Sequence, residues 1–147
     1  MSWFLLPLAL AAGAVLPVQF AVNTHLRTFV GGPVAAAAAS FVVGTIALAV
    51  ATLAVQRSIP DYGLIAGAPW WAWIGGLLGA IFVLASIILT PRLGAATTIG
   101  LILTGQVIAS ILIDHFGLIR VPVHEASLPR ILGALLIVVG VIVVQRF

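Results

Sequence analysis

The chain has 147 residues, of which 63% are hydrophobic and only 6% charged, and its mean hydropathy is +1.34. Because a soluble domain typically carries about 25% charged residues, this composition excludes a water-soluble globule. The net charge of +3 comes from six Arg that lie singly between apolar segments, so no basic stripe for nucleic acid exists. The chain contains no Cys, which excludes disulfides and thiolate chemistry.

Five apolar segments are long enough, or nearly so, to cross a hydrocarbon core of about 30 Å, which takes about 20 helical residues. In chain order, the predicted spans are Trp3–Val22, Pro33–Val55, Trp70–Leu89, Gly94–Ile113 and Leu128–Val144. No basic residue precedes the first segment, so we interpret it as a retained helix rather than a cleaved signal peptide. The sequence therefore predicts an all-α membrane protein, with residues 1–147 forming a single five-helix domain.

The first span carries two amide side chains. Gln19 and Asn23 lie four residues apart and share one helix face, just after Pro17. Proline has no N–H to donate, so it frees a carbonyl one turn earlier. Since polar groups in a bilayer are costly, we expect this face to turn away from lipid.

Small residues recur along several spans, where they permit close helix packing in lipid. They are Gly32, Ala36, Ser40 and Gly44 in the second span, Gly75 and Gly79 in the third, and Gly133 and Gly140 in the fifth. Among the hydroxyls, Ser40, Thr45 and Ser86 are weaker site candidates, because a hydroxyl can bond its own backbone one turn earlier.

The fourth span carries the clearest polar face, with i+4 spacing broken only by Ile102. Its members are Thr98, Gln106, Ser110 and Asp114. With 1.5 Å per residue, Gln19 lies about 6 Å inside one membrane surface and Gln106 about 10 Å inside the other. Gln19, Asn23, Ser86, Gln106 and Ser110 are our candidate substrate-binding residues. Interhelical hydrogen bonding is an equally open interpretation.

Asp114 is the only carboxylate that adjoins a span, and this makes it the candidate for coupling to protons or cations. The alternative, which we favour, is an interfacial residue in water that bonds to His115 or Arg120. The sequence shows no Ser/His/Asp set, no metal-ligand cluster and no phosphate-binding loop. We therefore expect no enzymatic activity, no catalytic residue, no metal and no cofactor.

Charge gives this chain no preferred orientation. Five spans place the termini on opposite sides, and short-loop Lys and Arg residues normally set topology. The amino-terminal side receives Arg57, Arg120 and Arg130, and the opposite side receives Arg27, Arg92 and Arg146. Either a partner sets the orientation or, as we favour, the chain inserts both ways and pairs with itself as an antiparallel homodimer. Such pairing would create an inverted repeat by assembly.

Several segments together resemble the YdcZ-like family of short five-helix inner-membrane exporters. They are PVQFAVN (17–23), SFVVGT (40–45), WAWIGGLLGA (71–80), PRLGAATT (91–98), GQ (105–106) and SILIDHFG (110–117). The resemblance implies a bacterial inner-membrane protein of the drug/metabolite transporter superfamily, whose larger members resemble two five-helix halves in inverted orientation. It also implies small-molecule transport, with Gln19, Asn23, Gln106 and Asp114 at the polar positions of the family.

The resemblance names no cargo and does not imply proton antiport. Related small multidrug exporters carry a membrane-embedded Glu in the first helix, whereas this first span has only Gln19 and Asn23. The leading hypothesis is an antiparallel homodimeric exporter with alternating access for an unknown small molecule. The alternative is a non-transporting subunit of a larger membrane complex, and a narrow polar channel is a third, weaker possibility.

Overall fold

The computed structural model describes residues 3, 5–56, 63 and 66–146, apart from the side chains of residues 56 and 120. Its α-helices are α1 (Leu5–Leu26), α2 (Pro33–Gln56), α3 (Ile74–Leu93), α4 (Ala95–Phe116) and α5 (Leu128–Arg146). A 3₁₀ turn, Trp70–Trp73, precedes α3, and another, Leu118–Arg120, follows α4. Of the six Arg counted for orientation, Arg57 lies outside the described residues.

Five helical segments in the described part of the chain are long and apolar enough to cross a membrane. This confirms the prediction of an all-α chain with five spans. Four of the five spans end later than predicted, the fourth at Phe116 and the fifth at Arg146. The first runs to Leu26, which places Asn23 inside the helix, and the third continues through Pro91 to Leu93.

The connection between α3 and α4 is the single residue Gly94. Its φ of 81° and ψ of 158° stop the helix there, and such a φ is readily adopted only by glycine. The predicted end at Leu89 was early because Pro91 removes only one hydrogen bond in the last turn. A proline in this place shortens the hydrogen-bond ladder but does not end the helix.

The chain divides into two compact units, Met1–Arg92 and Leu93–Phe147. In the first unit, small residues of α2 pack against branched residues of α3. The cluster consists of Ala36, Ala37, Val83 and Ile87. The ring of Phe20 on α1 lies 5.7 Å from that of Phe82 on α3, tilted by 60°. These contacts place α1, α2 and α3 around one core.

In the second unit, the close approach of α4 and α5 occurs at Gly100. A Cβ atom at this position would lie 2.8 Å from Cγ2 and 3.1 Å from Cγ1 of Val141. The sequence had pointed instead to Gly133 and Gly140 on α5, yet a Cβ at either would meet no described atom within 4 Å. Helix periodicity shows which residues are small, but it does not show which of them faces a neighbour.

Gly100→Ala is therefore expected to loosen the packing of α4 on α5. The new methyl group overpacks the contact with Val141, which typically costs about 1–3 kcal/mol. Gly105→Ala is the matched control, because a Cβ there meets nothing within 4 Å and alanine favours the helix by about 0.5–1 kcal/mol. Thermal unfolding of both purified variants checks this. Equal stability of the two would contradict the close approach at Gly100.

Candidate functional site

A groove of about 220 Å³, with a mostly apolar lining and a few polar side chains, lies among α1, α2 and α3 in the first unit. Its lining residues are Gln19, Ser40, Phe41, Gly44, Thr45, Leu48 and Val83. Helix α1 supplies an amide, α2 supplies two hydroxyls and most of the apolar wall, and α3 supplies Val83. We call this the α1–α3 groove.

Asn23 lies one turn beyond Gln19 on α1 and is 4% exposed. Its Oδ1 accepts a 2.6 Å hydrogen bond from Oγ of Ser40, which itself lines the groove. The Nδ2 atom has no hydrogen-bond partner among the described residues. Since a buried donor without a partner costs free energy, the amide of Asn23 is a point at which a polar ligand would be stabilised.

Two further hydroxyls of the first unit share this property. Within the described chain, Oγ1 of Thr24 and Oγ1 of Thr90 are also buried without a partner. Thr90 is 9% exposed and lies on the same α3 face as Ile87 of the core cluster. Buried polar atoms in native proteins are rarely left unpaired, so three such atoms in one small unit mark it as a site for polar contacts.

Gln19 is half-buried and its side chain forms no hydrogen bond with any described residue. Thr45 is exposed and is equally free within the described part of the chain. The α1 helix passes through Pro17 without ending, so Gln19 and Asn23 keep the one-turn spacing that the sequence predicted. The groove therefore presents one amide, that of Gln19, and one hydroxyl, that of Thr45, that bond no described residue and can bind a solute.

Ser86 occupies a different environment from the other candidates. It is fully buried, and its Oγ donates a 2.7 Å hydrogen bond to the carbonyl oxygen of Val83 on its own helix. It does not line the groove, whereas Ser40 and Thr45, two other weaker candidates, do. The sequence feature that points to Ser40 as a groove residue is the row of small residues on α2, because it brings Ser40 to the face that packs against α1.

In the second unit, the polar face of α4 is only partly covered. Thr98 is buried and donates a 2.7 Å hydrogen bond to the carbonyl oxygen of Gly94, but Gln106 and Ser110 are exposed. With 100° per residue, Gln106 lies about 120° around α4 from Gly100, where α5 packs. Within the second unit, α5 therefore leaves this part of the polar face uncovered.

Asp114 is partly buried, with 25% of its side chain exposed, and it pairs with Arg130 at the start of α5. We had expected bonds to His115 or Arg120. Instead, the ring Nδ1 of His115 accepts a 3.2 Å bond from the backbone N–H of Ala126. Sequence spacing could not show the ion pair, because its two members lie 16 residues apart across a turn.

The turn between α4 and α5 is ordered by backbone bonds around this ion pair. Gly117, with a φ of 59°, ends α4 in the left-handed conformation that glycine adopts most easily. The N–H of His124 then donates to the carbonyl oxygen of Asp114 at 2.9 Å, and Nη1 of Arg130 donates to that of His124 at 3.0 Å. In the described residues, no three His, Cys, Asp or Glu side chains are grouped to hold a metal ion.

The geometry can be compared with known proteins. The family model described as "Putative inner membrane exporter, YdcZ" matches residues 4–143. The inner membrane protein YdcZ of Escherichia coli is 36% identical over 138 residues, which cover 93% of this chain and 91% of the relative. The chain belongs to the YdcZ family.

Membership of the YdcZ family confirms the resemblance seen in the sequence. Together with the five helices of membrane-spanning length, it makes this chain a multi-pass inner-membrane protein. No solved structure matches the chain.

Proposed function

We propose that this YdcZ-family protein is a small-molecule exporter that works as a dual-topology antiparallel homodimer with alternating access. The observation that carries the proposal is the α1–α3 groove, where the side chain of Gln19 bonds no described residue. Beside the groove, Nδ2 of Asn23 is buried with no partner in the described part of the chain. Hydrocarbon offers no partner to such groups. A polar solute that passes through the bilayer would supply one.

The exposed side chains of α4 support self-assembly. Gln106 and Ser110 are exposed. They lie on α4, which is long and apolar enough to span the membrane. Polar side chains at this depth nearly always face protein or a water-filled cavity. Coverage by a second copy would satisfy this requirement.

Depth permits an inverted second copy. Gln19 lies about 10 Å from the carboxyl end of α1, and Gln106 lies about 15 Å from the carboxyl end of α4, near the middle of that helix. In an antiparallel pair, these two amides from different copies come within about 5 Å of the same depth. The balanced Arg residues permit both orientations, and the assembly acquires the inverted symmetry common among transporters.

Asp114 is the residue at which an ion could be coupled to transport. Binding of a proton or cation there would break its pairing with Arg130 and release the ends of α4 and α5 from each other. The carboxylate lies at the end of α4 rather than in the groove, so its effect on solute would be indirect. No enzymatic step is part of this proposal.

Cysteine labelling tests the proposed dual topology, because the chain has no native Cys to interfere. Thr28→Cys and Val123→Cys place single thiols at exposed positions in turns on opposite predicted sides. Because the charges give no preferred orientation, each thiol should react about half from either side with an impermeant maleimide. Labelling of each variant from one side only would contradict dual topology and favour the non-transporting subunit held by a partner.

A further inference from the structure

The residues that line the α1–α3 groove carry no formal charge. Gln19, Ser40 and Thr45 offer an amide and hydroxyls, and apolar side chains of α2 and α3 complete the lining. The adjoining Asn23 adds a second amide that is buried without a charged neighbour in hydrogen-bond contact. The groove thus combines donors and acceptors with an apolar wall, and it offers no counter-ion.

The lack of a counter-ion in this lining determines which solutes can remain there. A bare ion that leaves water for an apolar environment loses its hydration, and only a paired charge compensates for this. An uncharged polar group needs only one or two hydrogen bonds, which amides and hydroxyls supply. Ions at bilayer depth therefore require partners that this groove does not provide.

We infer that the α1–α3 groove selects uncharged amphipathic solutes, with a hydrogen-bonding head against Gln19 and Thr45 and an apolar body against Phe41, Leu48 and Val83. This inference rests on the proposed transport function, for which it names the substrate class. The groove volume of about 220 Å³ is below the roughly 300–1,000 Å³ of sites for drug-sized ligands. The solute is therefore small, or it inserts only one end.

Three probes of matched shape and different charge test the inference. Benzamide is neutral, benzoate is an anion and benzamidinium is a cation, and each joins one planar head group to one benzene ring. Binding to the purified full-length protein in nanodiscs is measured by saturation-transfer NMR, with empty nanodiscs subtracted to remove lipid partitioning. Benzamide is expected to bind at least about tenfold more tightly than either ion, a difference of 1.4 kcal/mol.

Substitutions in the groove locate the binding. Gln19→Glu introduces a counter-ion and should reverse the preference, so that benzamidinium binds more tightly than benzamide. Thr45→Val removes a free hydroxyl and should weaken benzamide binding about fivefold, as expected for one lost hydrogen bond. Thr52→Val is the matched control, since its hydroxyl bonds the carbonyl oxygen of Leu48 on its own helix and does not line the groove.

The inference is overturned if either ion binds the unmodified protein as tightly as benzamide, or if no probe binds. It is also overturned if Thr45→Val and Thr52→Val weaken benzamide binding equally, because the groove would then not be the site. Failure of the transport proposal looks different. If the protein binds benzamide selectively but moves no solute, the inference about the groove stands and the transport proposal fails. If the protein transports only ions, the transport proposal stands and the inference about the groove fails.

Discussion

Two added Lys residues in one turn are expected to reduce transport to background, and a second, oppositely biased copy is expected to restore it. The double variant Thr28→Lys with Phe29→Lys adds positive charge on one side of the membrane, and Val123→Lys with Ser127→Lys adds it on the other. All four positions are exposed. Since short-loop Lys and Arg residues set orientation, each double variant should insert one way only. An antiparallel dimer then cannot form until both variants are present.

A ligand-stabilisation screen on the purified protein first identifies a solute. The flux of that solute into proteoliposomes is then measured. Cells express either variant alone or both together, and impermeant labelling confirms the orientation of each. Gln at the same four positions is the control, because it changes the side chains without adding charge. Wild-type flux from one uniformly oriented variant would show that the antiparallel dimer is not the working unit.

Gln19→Leu and Gln106→Leu are each expected to abolish transport while the dimer stays intact. Leucine is close to glutamine in volume and favourable in lipid, so packing survives while the amide is lost. Gln19 lines the groove without a partner among the described residues, so its removal breaks no bond within the chain. The expected loss is therefore one of solute binding.

Dimer dissociation and flux are measured on the same two variants, with Thr52→Val as a control for loss of a polar group outside the groove. If the amides serve instead as interhelical hydrogen bonds, each change should weaken the dimer by about 0.6 kcal/mol and by at most about 2 kcal/mol. Flux would then fall only as far as the dimer dissociates. That result would remove these residues from the binding site and leave them a structural role.

The polar pair on α1 shows where prediction from sequence succeeds. Gln19 and Asn23 were placed on one face by their spacing alone, and α1 is continuous through both. The i+4 geometry of a helix is local, so it follows from position in the chain. Which helix would face that pair is not local, and the bond from Ser40 to Asn23 emerged only from the packing of α2 on α1.

On α4, by contrast, the sequence did not predict which polar side chains are buried. Its polar residues share the predicted spacing, but Thr98 is buried while Gln106 and Ser110 are exposed. Spacing places side chains on a face without showing how much of that face another helix covers. The coverage depends on Gly100, whose missing side chain lets Val141 approach from α5.

By itself, the sequence determined the class of this protein, its five spans and its family, because span length, hydropathy and motif order are properties of the chain read in one dimension. Only the tertiary structure decided the rest. It brought Gln19, Ser40 and Thr45 to one groove, left Nδ2 of Asn23 with no partner among the residues that the structure describes and paired Asp114 with Arg130. These outcomes depend on which helix faces pack together, and in a chain this apolar nearly every face is hydrophobic enough to pack.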